Sequence, residues 1–251
     1  MTNGPQELDA LADVLVAQTA APLPHRAVTA HRWADVVFAS WRMDADTVAS
    51  LVPPRTEPDR IDGSAWVSLT AYEFRRTTVP PLPPPGPLGR LTEITVEVPT
   101  VDDAGRHGTT YLTVDTQHVP AVLAARIGIG VPYTAARAGS RRDGDVLAHR
   151  TRRRHGGASA SVRVRAAGGV TPDALSVALT HRPGVHARHL GVTSWWRRSH
   201  APWQLRAARA EELRGDLPDV VGFPRLLDRV PDRLLVGDGV DVEYAWGGLV
   251  R

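Results

Sequence analysis

The side chains able to act as nucleophiles or proton carriers are restricted in kind: the 251 residues include ten histidines and thirty arginines, but no lysine and no cysteine. An iminium requires an uncharged primary amine, and a guanidinium neither loses its proton readily nor condenses with a carbonyl. Schiff-base chemistry at a side chain is therefore excluded, as is pyridoxal phosphate held through lysine. The absence of cysteine removes thiolate catalysis, disulfides and cysteine-based metal sites. Acid–base work falls to carboxylates, histidines and tyrosines. His200 lies beside Pro202 and Trp203 in SHAPWQL, where it can act as a general acid or base, or simply bond to backbone in a turn. His181, His186 and His189 carry imidazoles that bind zinc well, yet their spacing matches no metal motif and no carboxylate accompanies them, so no metal is expected. The run from His149 to His155 could hold phosphates. No aromatic residues interleave with it for base stacking, and a solvated hairpin face is the simpler expectation, with no nucleic-acid partner. Gly128 and Gly130 alone do not make a dinucleotide fingerprint, and no cofactor is expected.

These residues must be positioned mainly by strands. WADVVFASW, AWVSLTAYEF, LTEITVEV and TTYLTVD are rich in β-branched and aromatic residues and predict an antiparallel sheet. GDVLAHRTRRRH, SASVRVRA, WQLRAARAEEL and VDVEYAW continue the pattern, although WQLRAARAEEL also fits a helix. Helices are expected over residues 5–20, with Leu8, Leu11 and Val14 or Leu15 on one face, and in HVPAVLAARIGI, with Val119, Val122, Leu123 and Ile127 at helical spacing. Asp44 or Asp46 can cap a helical turn ended by Pro53 and Pro54, and TPDALSVALTHRP predicts a helix capped by Thr171 with Pro172 at its first position. PPLPPPGP, near residues 80–87, is expected to be a stiff connector.

Composition supports a β-rich fold with a full core: 42% of residues are hydrophobic, and 21 prolines and 22 glycines are spread along the chain as turn formers. The net charge of +3 and the pI near 9.9 do not identify a nucleic-acid protein, because 27 acidic residues offset the arginines. The arginine bias points to a GC-rich bacterial coding sequence. No window approaches the length of an apolar membrane span and no secretory signal pattern opens the chain, so a cytoplasmic location is expected, with no membrane partner.

Four ordered stretches resemble the YqjF-like family of domains of unknown function. They are Trp33-x-Asp35-x-x-Phe38-Ala39-x-Trp41; Leu51-x-Pro53 leading to Asp62-Gly63-x-Ala65-Trp66-Val67; Ala125-Arg126-x-Gly128-x-Gly130-x-Pro132-Tyr133; and His200-x-Pro202-Trp203-x-Leu205. That family is similar to the acetoacetate decarboxylase superfamily, in which a lysine following a proline forms the Schiff base. Here Tyr133 and Thr134 follow Pro132, so the resemblance also marks where the amine has been lost.

The resemblance implies an α+β, mainly β fold: a large curved antiparallel sheet forming an acetoacetate decarboxylase-like β-barrel or cone with a few peripheral helices. The expected organisation is an N-terminal helical arm over residues 1–29 and a single domain over 30–251. Glu93 falls where the superfamily often has a pocket glutamate, which makes it the acid–base candidate, joined by Tyr133 and His200. Arg126 is expected either to bind a substrate carboxylate opposite Glu93 or to pair with Glu93, while Trp33, Trp66 and Trp203 supply aromatic walls. The resulting expectation is a small-molecule-binding protein or a non-Schiff-base lyase, isomerase or cyclase acting on a small organic, carboxylate-bearing ligand. The competing expectation is a non-catalytic scaffold that keeps the fold; assembly into a homo-oligomer is compatible with either.

Overall fold

The computed structural model describes residues 4–80, 86–169 and 173–251. In chain order its elements are α1 (Pro5–Ala20), β1 (Thr29–Met43), α2 (Ala45–Ala49), β2 (Thr56–Pro58), β3 (Ala65–Thr78), β4 (Leu91–Asp102) and β5 (His107–Thr116). Then come α3 (Val119–Gly128), β6 (Tyr133–Asp143), β7 (Val146–Arg153), β8 (Ser159–Ala166), α4 (Ala174–Thr180) and β9 (Gly184–His189). The chain finishes with β10 (Val192–His200), β11 (Leu205–Gly215), β12 (Arg233–Gly237) and β13 (Val240–Leu249). WQLRAARAEEL is thus a strand. Residues 81–85 of the proline-rich connector and the Thr171–Pro172 cap lie outside the described residues. The cap of α4 is Asp173, whose carboxylate accepts from Ser176 N at 2.7 Å.

The thirteen strands of the described residues join one curved sheet, and the sheet closes on itself twice. One circuit runs β1–β3–β4–β5–β9–β10–β13 and back to β1. The other uses the β1–β12 pairing and passes through β11, β8, β7 and β6 to β5. Strands β1, β3, β4 and β5 form the wall between the two. A wall strand is buried on both faces, and its two sets of alternating side chains serve different interiors. On β4, Ile94, Val96 and Val98 enter the main apolar core with Trp41, Leu69, Leu147 and Val162, and the opposite face carries Glu93, Thr95 and Glu97.

A bulge keeps β1 consistent with this division. Register with β3 shifts between Ala34 and Val37, and Asp35 has φ +52°. The extra residue places Trp33, Val36 and Phe38 in one aromatic cluster while Val37, Ala39 and Trp41 face the main core. Asp35 is held by Arg75 at 2.6 Å and Arg142 at 3.1 Å, and its carbonyl accepts from the buried His149 ring at 2.7 Å. His149, at the start of the basic run, is therefore an internal brace.

The helices pack outside the sheet. Leu15 of α1 is fully buried against Ile61, Trp66, Leu175, Ala178 and Leu179, joining α1 to α4; Val14 on the neighbouring face is exposed. Along α3, Val122 is buried but Val119 and Ile127 are exposed, so only part of the expected apolar stripe meets the sheet. Among the described residues, no helix is long and apolar enough to cross a membrane.

Candidate functional site

All four tyrosines of the chain line one pocket inside the first circuit. Tyr72 comes from β3, Tyr111 from β5, Tyr133 from the start of β6 and Tyr244 from β13. The pocket has about 550 Å³ of space between atoms, its mouth included, and its remaining wall is mainly apolar, with Phe74, Val131, Val185 and Trp196. His31 completes one side, stacked on Phe74 at 4.2 Å and bonded to Thr77 and Thr29. Burial lowers its pKa to about 4, so it is a neutral ring at physiological pH.

Strand register explains the convergence. Tyr72 pairs with Glu93, Tyr111 with Glu97, and Tyr244 with Arg198. Each polar partner lies one layer behind a phenol. Tyr133 reaches the same place because the chain turns sharply ahead of it at Gly130, which has φ +81°. A Cβ there would stand 2.6 Å from the Arg188 carbonyl oxygen, so only glycine permits this close approach to β9.

Glu93 is fully buried beneath the phenols: its Oε2 accepts from Tyr72 at 2.9 Å and from Tyr133 at 3.3 Å, and its Oε1 has no partner among the described residues. Burial raises its pKa to about 8 despite those two bonds, so the carboxyl is largely protonated at neutral pH. Burial also lifts Tyr72 and Tyr133 well above the ordinary phenol value, with the neighbouring Glu93 charge adding to the effect. The phenols are hydrogen-bonding groups rather than phenolates. When Glu93 is ionised, both point their O–H groups at it; when it is protonated and donates to one phenol, that phenol's own hydrogen becomes free for the pocket.

A second polar pair adjoins the first. The Tyr244 phenol neighbours the Arg198 guanidinium and the Tyr111 phenol. Burial raises the pKa of Tyr244, while both neighbours work in the opposite direction by favouring its anion. Arg198 is itself buried, donates from Nε to the Arg182 carbonyl at 2.8 Å, and lies 5.7 Å from the centre of the Trp33 ring.

The side chains singled out from sequence thus divide. Glu93 and Tyr133 meet at the pocket. Arg126 does not: it is exposed in the last turn of α3, because the helix end and the Gly130 turn separate its direction from that of Tyr133. Trp66 is buried in the seam between sheet and helices, with its Nε1 donating to the Ile61 carbonyl at 2.8 Å and the Arg42 guanidinium over its ring; it is a packing residue away from the tyrosines. Trp33 lies behind the pocket, stacked on Tyr72 at 4.0 Å. Trp33, Trp203 and His200 line a separate small chamber together with Glu97, Arg182 and Arg198. His200 bonds through Nδ1 to the Ala201 carbonyl at 2.7 Å, and burial lowers its pKa to about 3. Among the histidines weighed as metal ligands, His186 bonds to Thr100 and Asp102, and His181 accepts from Trp203 N. The described residues hold no cluster of three or more metal-ligating side chains.

Tyr72, Tyr111, Tyr244, Arg198, Glu97 and His31 were missed from sequence. The pairing of residues as distant as Arg198 and Tyr244 is set by register, and no local motif announces it.

The fold is that of acetoacetate decarboxylase-like proteins. Acetoacetate decarboxylase from Legionella pneumophila superposes with a TM-score of 0.63 at 13% identity, covering 95% of each chain. An acetoacetate decarboxylase-like enzyme from Sphingomonas wittichii gives 0.58 at 16%, covering 90% of this chain and 94% of its own. The enduracididine biosynthesis enzyme MppR complexed with pyruvate gives 0.59 at 13%, covering 91% and 92%. In sequence, the uncharacterized protein YqjF of Bacillus subtilis is 28% identical over 198 residues, covering 76% of this chain and 80% of that protein. Residues 30–241 match DUF2071, described as an uncharacterized conserved protein (COG2071), and with most of its length inside that match the chain belongs to this family.

Proposed function

We propose that the protein binds a small, largely apolar carbonyl or enol compound in the tyrosine pocket, either as a binding protein or as an enzyme acting by acid–base chemistry without a Schiff base. The observation that carries this reading is the convergence of all four tyrosines of the chain on one pocket, with a buried carboxyl beneath two of them. The apolar wall contributes desolvation, and the phenols fix the orientation of a carbonyl oxygen. With Glu93 protonated, one of Tyr72 and Tyr133 has a free O–H for that oxygen, and Glu93 can replace the proton if the phenol gives it up. Arg198 acts one layer farther back, polarising Tyr244. The fold neighbour MppR is complexed with pyruvate, which shares the keto group of this ligand class but carries a carboxylate as well. The chemistry must differ from an amine mechanism, because Tyr133 and Thr134 follow Pro132 and the chain contains no lysine.

The test is native mass spectrometry of the protein after incubation with small keto and enol compounds and with cell extract. A retained small molecule that is lost in Tyr133→Phe and Tyr72→Phe, with folding intact, supports the reading. Retention undiminished in both variants refutes the site. A protein that retains no small molecule at all favours the scaffold alternative.

A further inference from the structure

We propose that the small chamber lined by Trp33 and Trp203 is a binding site for a single small monovalent anion of halide size. The chamber has about 300 Å³ of space between atoms, with room for one guest of about water or halide size, and is lined in part by Trp33, Trp203, Arg198, Arg182, Glu97 and His200. Three of its lining residues carry unmet demands. The Nε1 groups of Trp33 and Trp203 are both buried and, among the described residues, neither has a hydrogen-bond acceptor. An indole N–H can only donate, so each requires an electron-rich guest. The third demand is Arg198, which is buried and takes part in no carboxylate ion pair among the described residues.

The other charges do not supply the missing partner. Arg182 is neutralised by its bond to Asp59 and by carbonyls of Gly108, Ala178 and Thr100. Glu97 is tied to Thr70 at 2.6 Å and forms no ion pair among the described residues; burial raises its pKa and favours its neutral form, with Thr70, Arg198 and Arg182 pulling the other way. His200 is committed to the Ala201 carbonyl. The chamber therefore has two indole donors and one unmatched cation. A water molecule would accept from the indoles but leave the buried charge uncompensated, whereas an anion answers all three. This inference does not rest on the ligand reading for the tyrosine pocket: no side chain lines both cavities, although Arg198 also acts on Tyr244 of that pocket.

The experiment uses the full chain. Chlorine-35 NMR should show chloride linewidth excess that bromide displaces, and thermal unfolding should show a saturable rise of about 3 °C with chloride over acetate at equal ionic strength. Crystals soaked in bromide should give an anomalous peak between Trp33 Nε1 and Trp203 Nε1. Trp33→Phe and Trp203→Phe should each weaken chloride at least about tenfold, as expected for losing one donor to a charged acceptor, and Arg198→Gln should abolish the effect. The two tryptophan variants keep the test valid if Arg198→Gln does not fold. Equal stabilisation by chloride and acetate with no displaceable linewidth, or chamber density without bromine signal, would overturn the proposal.

Discussion

Replacing Glu93 with glutamine should change the pH dependence of stability in a direction and by an amount set by the burial of that carboxyl. Its ordinary value is 4.5 and its value in the fold is about 8. Above pH 4.5 the unfolded chain has released this proton while the folded protein still holds it, so unfolding releases a proton and stability falls as pH rises. The fall continues through about pH 8 and then levels off, because both states are ionised. At about 1.4 kcal/mol per pH unit, the interval from 4.5 to about 8 corresponds to up to about 5 kcal/mol. Glu93→Gln keeps a neutral polar group in the site but has no proton to lose. Urea unfolding of both proteins from pH 5 to 9.5 checks this. Their free-energy difference should grow in favour of the variant by about 1.4 kcal/mol per unit up to about pH 8 and stay constant beyond it. Using the difference cancels the histidines, which titrate in both. Parallel curves across the range would refute the buried, proton-holding carboxyl and the phenol arrangement that depends on it.

Four further outcomes are expected. As pH falls from 6.5 towards 4 the fold should weaken, because His31, His181 and His186 have pKa values lowered to about 4 and His200 to about 3, the unfolded chain takes up protons first, and these four groups outweigh Glu93 and Asp115, whose raised values act in the opposite direction; circular dichroism at pH 4 and 7 reads this, and equal melting temperatures would contradict it. Trp66→Ala should cost about 3–5 kcal/mol in urea unfolding, while ligand binding in the tyrosine pocket, measured on the folded fraction, should be preserved. Arg126→Ala should change stability by less than about 0.5 kcal/mol and leave pocket binding unaltered; a large loss of binding would restore Arg126 to the site. Gly130→Ala should destabilise by more than about 1 kcal/mol, since both the positive φ and the Arg188 carbonyl oppose a Cβ, and should shift the Tyr133 ring signals in NMR.

Much of the fold was legible because strand alternation is local. LTEITVEV announces a strand whether or not its neighbours are known, and Asp44 caps its helical turn as its position beside ADTVA suggests. The site was legible only where one segment carried it. Glu93 and Tyr133 were found through the resemblance, but Arg126 was carried along with Tyr133 on sequence proximity, and a helix end and a left-handed glycine turn intervene. Trp66 illustrates another limit. A buried tryptophan in a strand has the same sequence signature whether it faces a pocket or a helix, and here α1 and α4 cover it. The polar and aromatic character of His200 and Trp203 suits a pocket wall, but β10 and the turn after it deliver them to the adjoining chamber.

The wall strands explain why polar residues survive inside this sheet. A strand with one solvated face would place Glu93, Thr95 and Glu97 in water, and their alternation with Ile94, Val96 and Val98 would be ordinary amphipathicity. In β4 both faces are buried, so each polar side chain carries a desolvation cost that a valine would avoid. Threonine meets that cost partly with local bonds: Thr95 reaches the Thr70 carbonyl, and Thr70 in turn serves Glu97. Glu93 meets it less completely, with one oxygen bonded to two phenols and the other without a partner among the described residues. An isosteric apolar residue would leave the main core on the opposite face of β4 unchanged, so packing of that core does not require a carboxyl at 93. What the carboxyl adds is a proton held at the junction of two phenols that line a pocket, and that is why the functional reading is built there rather than at the exposed arginines.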